Sequence, residues 1–399
     1  MKSEFITKPL SEIADIQTGP FGSQLHKKDY VQVGTPIVTV EHLGKKAFTK
    51  RNLPCVSNDD KERLSKYILQ EGDIVFSRVG SVDRCSYVSH DYDGWLFSGR
   101  CLRVRPLMEI DPQYLYYFFT LESTKQFVRG IATGATMPSI NTKFMGEIPI
   151  VYPKIDVQRK IASIFNLIDD KIELNRNINE NLEQQVLSLY RNKFDNTSNS
   201  ERKICRADEY FDISIGKTPP RKEPQWFSTN LQDVTWVSIS DMGTCGLYIM
   251  RSSEQLTQEA VERHNVKVVP DNTIILSFKL TVGRVAITNG EMTTNEAIAH
   301  FKTDKKEINE YLYCYLKCFN YQTMGSTSSI ATAVNSKIIK GMPFVVPTNA
   351  ELEEFHDFAA PMFAKIKANQ IETDNLTELR DTLLPKLMSG ELDVSKIEF

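Results

Sequence analysis

Residues 131–153 read IATGATMPSINTKFMGEIPIVYP, and residues 330–347 read IATAVNSKIIKGMPFVVP. Asn141, Pro149 and Pro153 of the first stretch align with Asn335, Pro343 and Pro347 of the second. Working outward, Leu10-Ser11-Glu12-Ile13-Ala14-Asp15-Ile16 before Gly19 returns as Ala207-Asp208-Glu209-Tyr210-Phe211-Asp212-Ile213 before Gly216. The strand-like Asp73-Ile74-Val75-Phe76-Ser77 returns as Thr273-Ile274-Ile275-Leu276-Ser277. Each runs on to a Val-x-Arg, at Val82/Arg84 and Val282/Arg284. Tyr114-Leu115-Tyr116 returns as Tyr311-Leu312-Tyr313. The blocks keep their order, so the 399-residue chain is an internal duplication of about 197 residues. A repeat of this length decides the architecture before any single element does.

Each half ends in a polar-rich stretch with helical periodicity. In residues 157–193, Ile161, Phe165, Ile168, Ile172, Asn175, Asn179, Leu182, Val186 and Leu189 alternate steps of four and three. That is a heptad seam. Pro153 lies just upstream, and Asp156 suits the N-cap. At a shift of 194, Phe355, Ala359, Met362, Ile366, Asn369, Thr373, Leu376, Arg380 and Leu383 take the same slots. This second seam is poorer, because Arg380 is charged. Pro361 lacks a backbone donor and crowds the preceding turn, which predicts a kink or a late start there. Asn175 and Asn369 share one slot, and a polar seam residue fixes register at a cost in stability.

FDNTSNSER at 194–202 reads as a linker. The remaining regions are rich in Val, Ile, Thr, Tyr and Phe with Gly and Pro punctuation, the pattern of mixed, mostly β domains with short helices. The expected fold is α+β: a first domain at 1–155, a helix and linker at 156–196, a second domain at 197–349 and a second helix at 350–399. If the helices pair through their seams, connectivity makes them an antiparallel coiled coil with the domains at opposite ends. A helix of about 37 residues spans roughly 55 Å. Two similar modules so placed suit a target with its own dyad, such as double-stranded DNA, whose turns repeat every roughly 34–36 Å.

With 41% hydrophobic and 25% charged residues, collagen-like and wholly disordered classes are excluded. No apolar run approaches the roughly 18 residues of a membrane span. The start, MKSEFITKPL, lacks a signal peptide's apolar stretch, so a cytoplasmic location is expected. The net charge is −3, but residues 1–155 carry +3, 156–196 carry −1, 197–349 carry +1 and 350–399 carry −6. This balance is weaker than the basic footprint of many nucleic-acid binders. It allows modest phosphate contact by the domains, leaves the helices to face protein, and makes strong affinity depend on a partner's basic surface.

Searches for catalytic chemistry come back empty. Gly216-Lys217-Thr218 looks like the end of a phosphate-binding loop, but Phe211 stands where its first glycine is needed and Pro219-Pro220 follow. The six histidines are scattered, without HExxH. Pro270-Asp271 opens a nuclease-like pattern, yet Ser277-Phe278-Lys279 lacks the acid before lysine. No GxSxG, dinucleotide fingerprint or Asn-Pro-Pro-aromatic motif occurs. The seven cysteines contain no CxxC and read as reduced, mostly buried thiols. No residue is nominated for catalysis, cofactor or metal.

The ATGATMPSINTKFMGEIPI block, followed by a heptad helix with IDDKIELN, resembles the specificity subunit of Type I restriction–modification enzymes. LSEIADIQTGPFGSQL, GDIVFSR and LRDTLLPKLMSGEL carry the same resemblance, which spans the whole chain. The second copy departs from the pattern, lacking Met-Pro-Ser and carrying Pro361. The resemblance implies a non-catalytic subunit with two target recognition domains. Each would read half of a bipartite double-stranded DNA target, and the paired helices would set the gap. It also implies docking of two modification subunits that use S-adenosylmethionine to methylate adenine, and of restriction subunits that use ATP and Mg. No cofactor is implied in this chain. Candidate DNA contacts near turns in matching positions are Arg78, Arg84, Lys143, Lys279, Arg284 and Lys337, with Ser23, Gln24, Ser139, Asn141 and Asn335 beside them; Arg or Lys can address guanine or phosphate. Two other readings stay open at this point. One is a tandem-domain protein scaffold that never touches DNA, and the other is a nuclease or methylase with degenerate motifs.

Overall fold

The structure is a computed structural model and describes residues 5–22, 24–134, 136–195, 202–324 and 334–394. The chain forms two compact units, residues 1–170 with 377–399 and residues 171–376. The division therefore falls inside both long helices rather than at their ends.

In the first unit, β1 (Ala14–Thr18), β2 (Ile74–Ser77), β3 (Cys85–Tyr87) and β4 (Cys101–Pro106) form an antiparallel sheet in the order β1-β4-β2-β3. Ile74, Val75 and Phe76 are all buried, so β2 reads as an unbroken apolar run covered on both faces. A second four-stranded sheet orders Tyr30–Val31, Cys55–Val56, Thr35–Val38 and Leu96–Phe97. Val75 joins its core with Ile37, Val38, Leu96 and Phe97. The helix Pro112–Thr120 is capped by Asp111, whose carboxylate accepts from Gln113 and Tyr114 N–H. A ribbon pairing Ile6–Pro9 with Pro149–Tyr152 closes the module and hands the chain to α1 (Ile155–Tyr190).

The second unit repeats the plan. Its main sheet contains β5 (Asp212–Ile215), β6 (Tyr248–Ile249), β7 (Ile274–Ser277), β8 (Val285–Thr288) and β9 (Ile298–Lys302), in the order β5-β9-β7-β8-β6. A ribbon of Lys203–Arg206 with Pro343–Val346 leads to α2 (Asn349–Met388). The edge strand β6 is covered by a side chain: Gln370 of α2 accepts from Tyr248 N–H at 3.0 Å and donates to its carbonyl at 2.9 Å. An amide paired this way leaves less of the edge open to another strand.

Two local expectations change. Asp156 lies inside the first turn of α1 instead of capping it. The late start near Pro361 is not found: α2 begins twelve residues earlier and runs through the proline. Its start is fixed by Thr348 and Glu351, which cap each other through 2.9 and 3.3 Å bonds.

Within the second unit the helices run antiparallel. Asn175 donates to Glu372 at 2.8 Å and Asn369 donates to Asn179 at 2.8 Å, so one residue number rises as the other falls. Asn175 and Asn369 are both 1% exposed, which makes the shared polar slot a buried hydrogen-bonded break. Within the first unit, Val157 and Ile161 share a wall with Leu387 and Val394, and Asp169 meets Arg380 at 3.0 Å, in the same sense. Ile161, Phe165, Ile168, Ile172 and Ile366 are buried, and Leu182, Leu189, Met362, Leu376 and Leu383 half-buried.

Candidate nucleic-acid interface

Register places the nominated residues. In the first unit, Thr18 pairs with Leu102, Ser77 with Cys101 and Phe76 with Cys85. The loops 19–25, 78–84 and 98–100 therefore leave the same end of one sheet. In the second, Ile215 pairs with Ala299, Ser277 with Ile298 and Leu276 with Val285, so loops 216–223, 278–284 and 294–297 do the same. Glycine allows the loops to meet: a Cβ on Gly19 would overlap the Ser98 carbonyl, and one on Gly216 would overlap Thr294 and the Asn295 carbonyl.

The nominated side chains divide into free and engaged. Arg84 donates to the Leu43 carbonyl across Gly44, and Arg284 donates to the Ile239 carbonyl at 2.6 Å across Gly243. Both fasten a neighbouring loop. Arg78 is half-buried, donates to the Gly99 carbonyl at 3.2 Å and lies 5.9 Å over the ring of Phe21. Gln24 accepts from the Tyr67 hydroxyl at 2.7 Å. Ser23 lies outside the described residues. Asn141 and Asn335 are helix caps, accepting from Phe144 N–H at 2.9 Å and Ile338 N–H at 3.0 Å. The short helices they open carry Lys143 and Lys337, both exposed and without an ion pair among the described residues. Lys279 is exposed beside buried Phe278.

Pro138 and Ser139 are tied to the 78–80 turn. Ser139 bridges Val79, and Gly80 N–H donates to the Pro138 carbonyl at 2.8 Å.

Several exposed residues at these sheet ends were not nominated. In the first unit they are Arg100, Phe21 (56% exposed) and Met137 (62%). In the second they are Lys217, Lys222 and Leu280. Arg100, Lys217 and Lys222 carry no ion pair among the described residues. The glycines at 19, 99 and 216, read as strand ends, were the signal that could have found most of them. Two acids, Glu223 and Glu296, share the second tip. Burial works against the Glu296 charge, but the hydrogen bond from Thr218 and the nearby Lys279 and Arg221 hold its pKa below the usual value. Among the described residues no group of His, Cys, Asp and Glu could hold a metal, and no helix is long and apolar enough to cross a membrane. The seven cysteines are free, and burial pushes the thiols of Cys85 and Cys101 up to about 12, away from nucleophilic use.

Each unit thus presents basic and apolar side chains on loops held by a rigid sheet, an arrangement suited to phosphate and base contact. Comparison with known proteins agrees. A family described as the Type I restriction modification DNA specificity domain matches residues 2–184 and again 199–378. The Type I restriction enzyme MjaIX specificity subunit of Methanocaldococcus jannaschii is 27% identical over 311 residues, covering 71% of this chain and 70% of that protein. The HindI specificity subunit of Haemophilus influenzae is 23% identical, covering 82% and 88%. The crystal structure of a Type I restriction–modification S subunit from M. genitalium shares the fold, with a TM-score of 0.59 at 16% identity over 97% of this chain and 96% of that one. The chain belongs to the Type I restriction–modification specificity-subunit family.

Proposed function

We propose that each sheet end reads one half of a bipartite double-stranded DNA target, as the sequence specificity of a Type I restriction–modification complex. The observation that supports this reading is the duplication of the loop cluster: three loops leave the equivalent end of the equivalent sheet in both units, and each cluster carries exposed cations, such as Arg100, Lys217 and Lys279, without an ion pair among the described residues. Arg78, Arg100 and Lys143 are the proposed contacts of the first unit, and Lys217, Lys279 and Lys337 those of the second. Arg84 and Arg284 act one step back, holding the loops. Gln24 sits beside the first set, and Ser23 is proposed as a further contact. The chain does no chemistry itself. Two modification subunits, with S-adenosylmethionine, methylate adenine in the half-sites, and restriction subunits add ATP- and Mg-dependent cleavage. The helix pair sets the interval between half-sites and carries the modification subunits, its −6 segment meeting basic protein surface. A subunit acting on DNA in this way works in the cytoplasm.

Footprinting of the complex with its modification subunits tests this. Two short protected segments separated by an unprotected gap are expected. Protection of one continuous segment, or none, contradicts it.

A further inference from the structure

The turn between β7 and β8 carries a feature absent from its counterpart in the first unit. Leu280 is 98% exposed with φ of +61°, while the corresponding turn in the first unit has Gly80 at +76°. In this left-handed region a leucine Cβ crowds the backbone, and glycine does not. The leucine gains no apolar contact among the described residues in return. Strain held at an exposed side chain is an observation that points outward, to something the side chain meets.

The turn is built firmly enough to present it. The Ser277 hydroxyl donates to the Thr281 carbonyl at 2.6 Å and accepts from Arg284 N–H at 3.1 Å. Arg284 in turn holds the Ile239 carbonyl. Phe278 is buried beneath, and Lys279 stands exposed beside Leu280. The turn projects beyond β7 and β8 at the sheet end, so it is the loop tip that meets base edges in a major groove roughly 12 Å wide. The apolar group offered there is the thymine methyl. Lys279, Lys217 and Lys222 give the tip the positive charge that a duplex demands.

We propose that Leu280 packs on a thymine methyl in the half-site read by the second unit, and that the Gly80 turn makes no such contact in the other half-site. This rests on the reading that each sheet end reads DNA. The test uses the complex with its modification subunits, on the target defined by sequencing methylated adenines. Each thymine of both half-sites is replaced singly by deoxyuridine, which removes only the methyl. One position, in one half-site, is expected to lose about 3- to 10-fold in binding. Leu280→Gly should show that loss on thymine DNA and be indifferent to uracil. It should melt no lower than the parent, since glycine suits this φ. Specific binding with no uracil-sensitive position overturns the inference, as does sensitivity that persists in Leu280→Gly. A lowered melting temperature for Leu280→Gly also overturns it, by showing that the side chain packs within the chain. A complex that recognises no bipartite sequence removes the underlying reading itself.

Discussion

The two units bury the same helix surface with different chemistry. In the first, Asp169 of α1 accepts from the Tyr117 hydroxyl at 2.7 Å and from Arg380 of α2 at 3.0 Å. Burial works against the Arg380 charge, yet Asp169 and Asp381 hold its pKa above the ordinary value. In the second unit the repeat puts Phe363, Cys314 and Val186 in the places of Asp169, Tyr117 and Arg380, and all three are buried. Phe363 meets Tyr313 edge-on at 5.5 Å. The aromatic has moved one helical turn: Phe165 precedes Asp169, while Ala359 precedes Phe363. Arg380, a charged intruder in the seam by sequence, is thus part of a polar cluster that the other unit replaces with apolar volume. The backbone plan is duplicated, and the way its interior is filled is not.

The largest expected effect is at the moved aromatic. Phe165 is fully buried and packs on Tyr117 at 5.2 Å, so Phe165→Ala should cost about 3–5 kcal/mol by denaturant unfolding. Asp169→Ala should cost about 2–3 kcal/mol. That is below the value for a fully buried pair, because Arg380 keeps 30% of its side chain exposed. Installing the second unit's residues together, Tyr117→Cys, Phe165→Ala, Asp169→Phe and Arg380→Val, should recover most of that loss. If this combined variant is worse than Asp169→Ala, the two fillings are not interchangeable.

A second contrast lies inside the sheets. Arg103 and His300 hold the same register, opposite Val75 and Ile275. Arg103 is paired to Asp15, whereas His300 is hydrogen-bonded to Ser214 at 2.9 Å and Thr294 at 2.7 Å. Burial, with a smaller push from Lys302, lowers the His300 pKa from 6.5 to about 3. The unfolded chain therefore binds a proton that the folded one refuses. This stability is present above pH 6.5 and is lost as pH falls toward 3, at up to about 1.4 kcal/mol per pH unit. His300→Gln should flatten that dependence, read from urea midpoints between pH 4 and 7. An unchanged slope would mean that His300 is not held neutral.

The smallest effects separate engaged from free cations. Lys279→Ala should weaken DNA binding by the complex several-fold and reduce its salt dependence by about one counterion, without changing the melting temperature. Arg84→Ala should act mainly through the melting temperature, because its guanidinium holds the Leu43 carbonyl. The reverse pattern would exchange their roles.

Much of the architecture was legible because it is periodic. The repeat gave two modules, and the seam gave two helices with Asn175 and Asn369 in one slot. The helix through Pro361 was not legible, since a local cost is outweighed by burial of Phe355, Ala359, Phe363 and Ile366 around it. Nor were the roles of Arg84 and Arg284. Their acceptors lie 41 and 45 residues away, and only the sheet end brings them near. Leu280 carries no sequence signal, because its backbone conformation is set by the turn's closure.

Sequencing of adenine methylation in cells that express this chain with its modification subunits tests the central claim most directly. A motif of two short specific segments around a fixed unspecified gap is expected, and exchanging residues 278–284 for 78–84 should alter one segment and leave the other and the gap intact. A single continuous motif, or changes in both segments from that exchange, would contradict it.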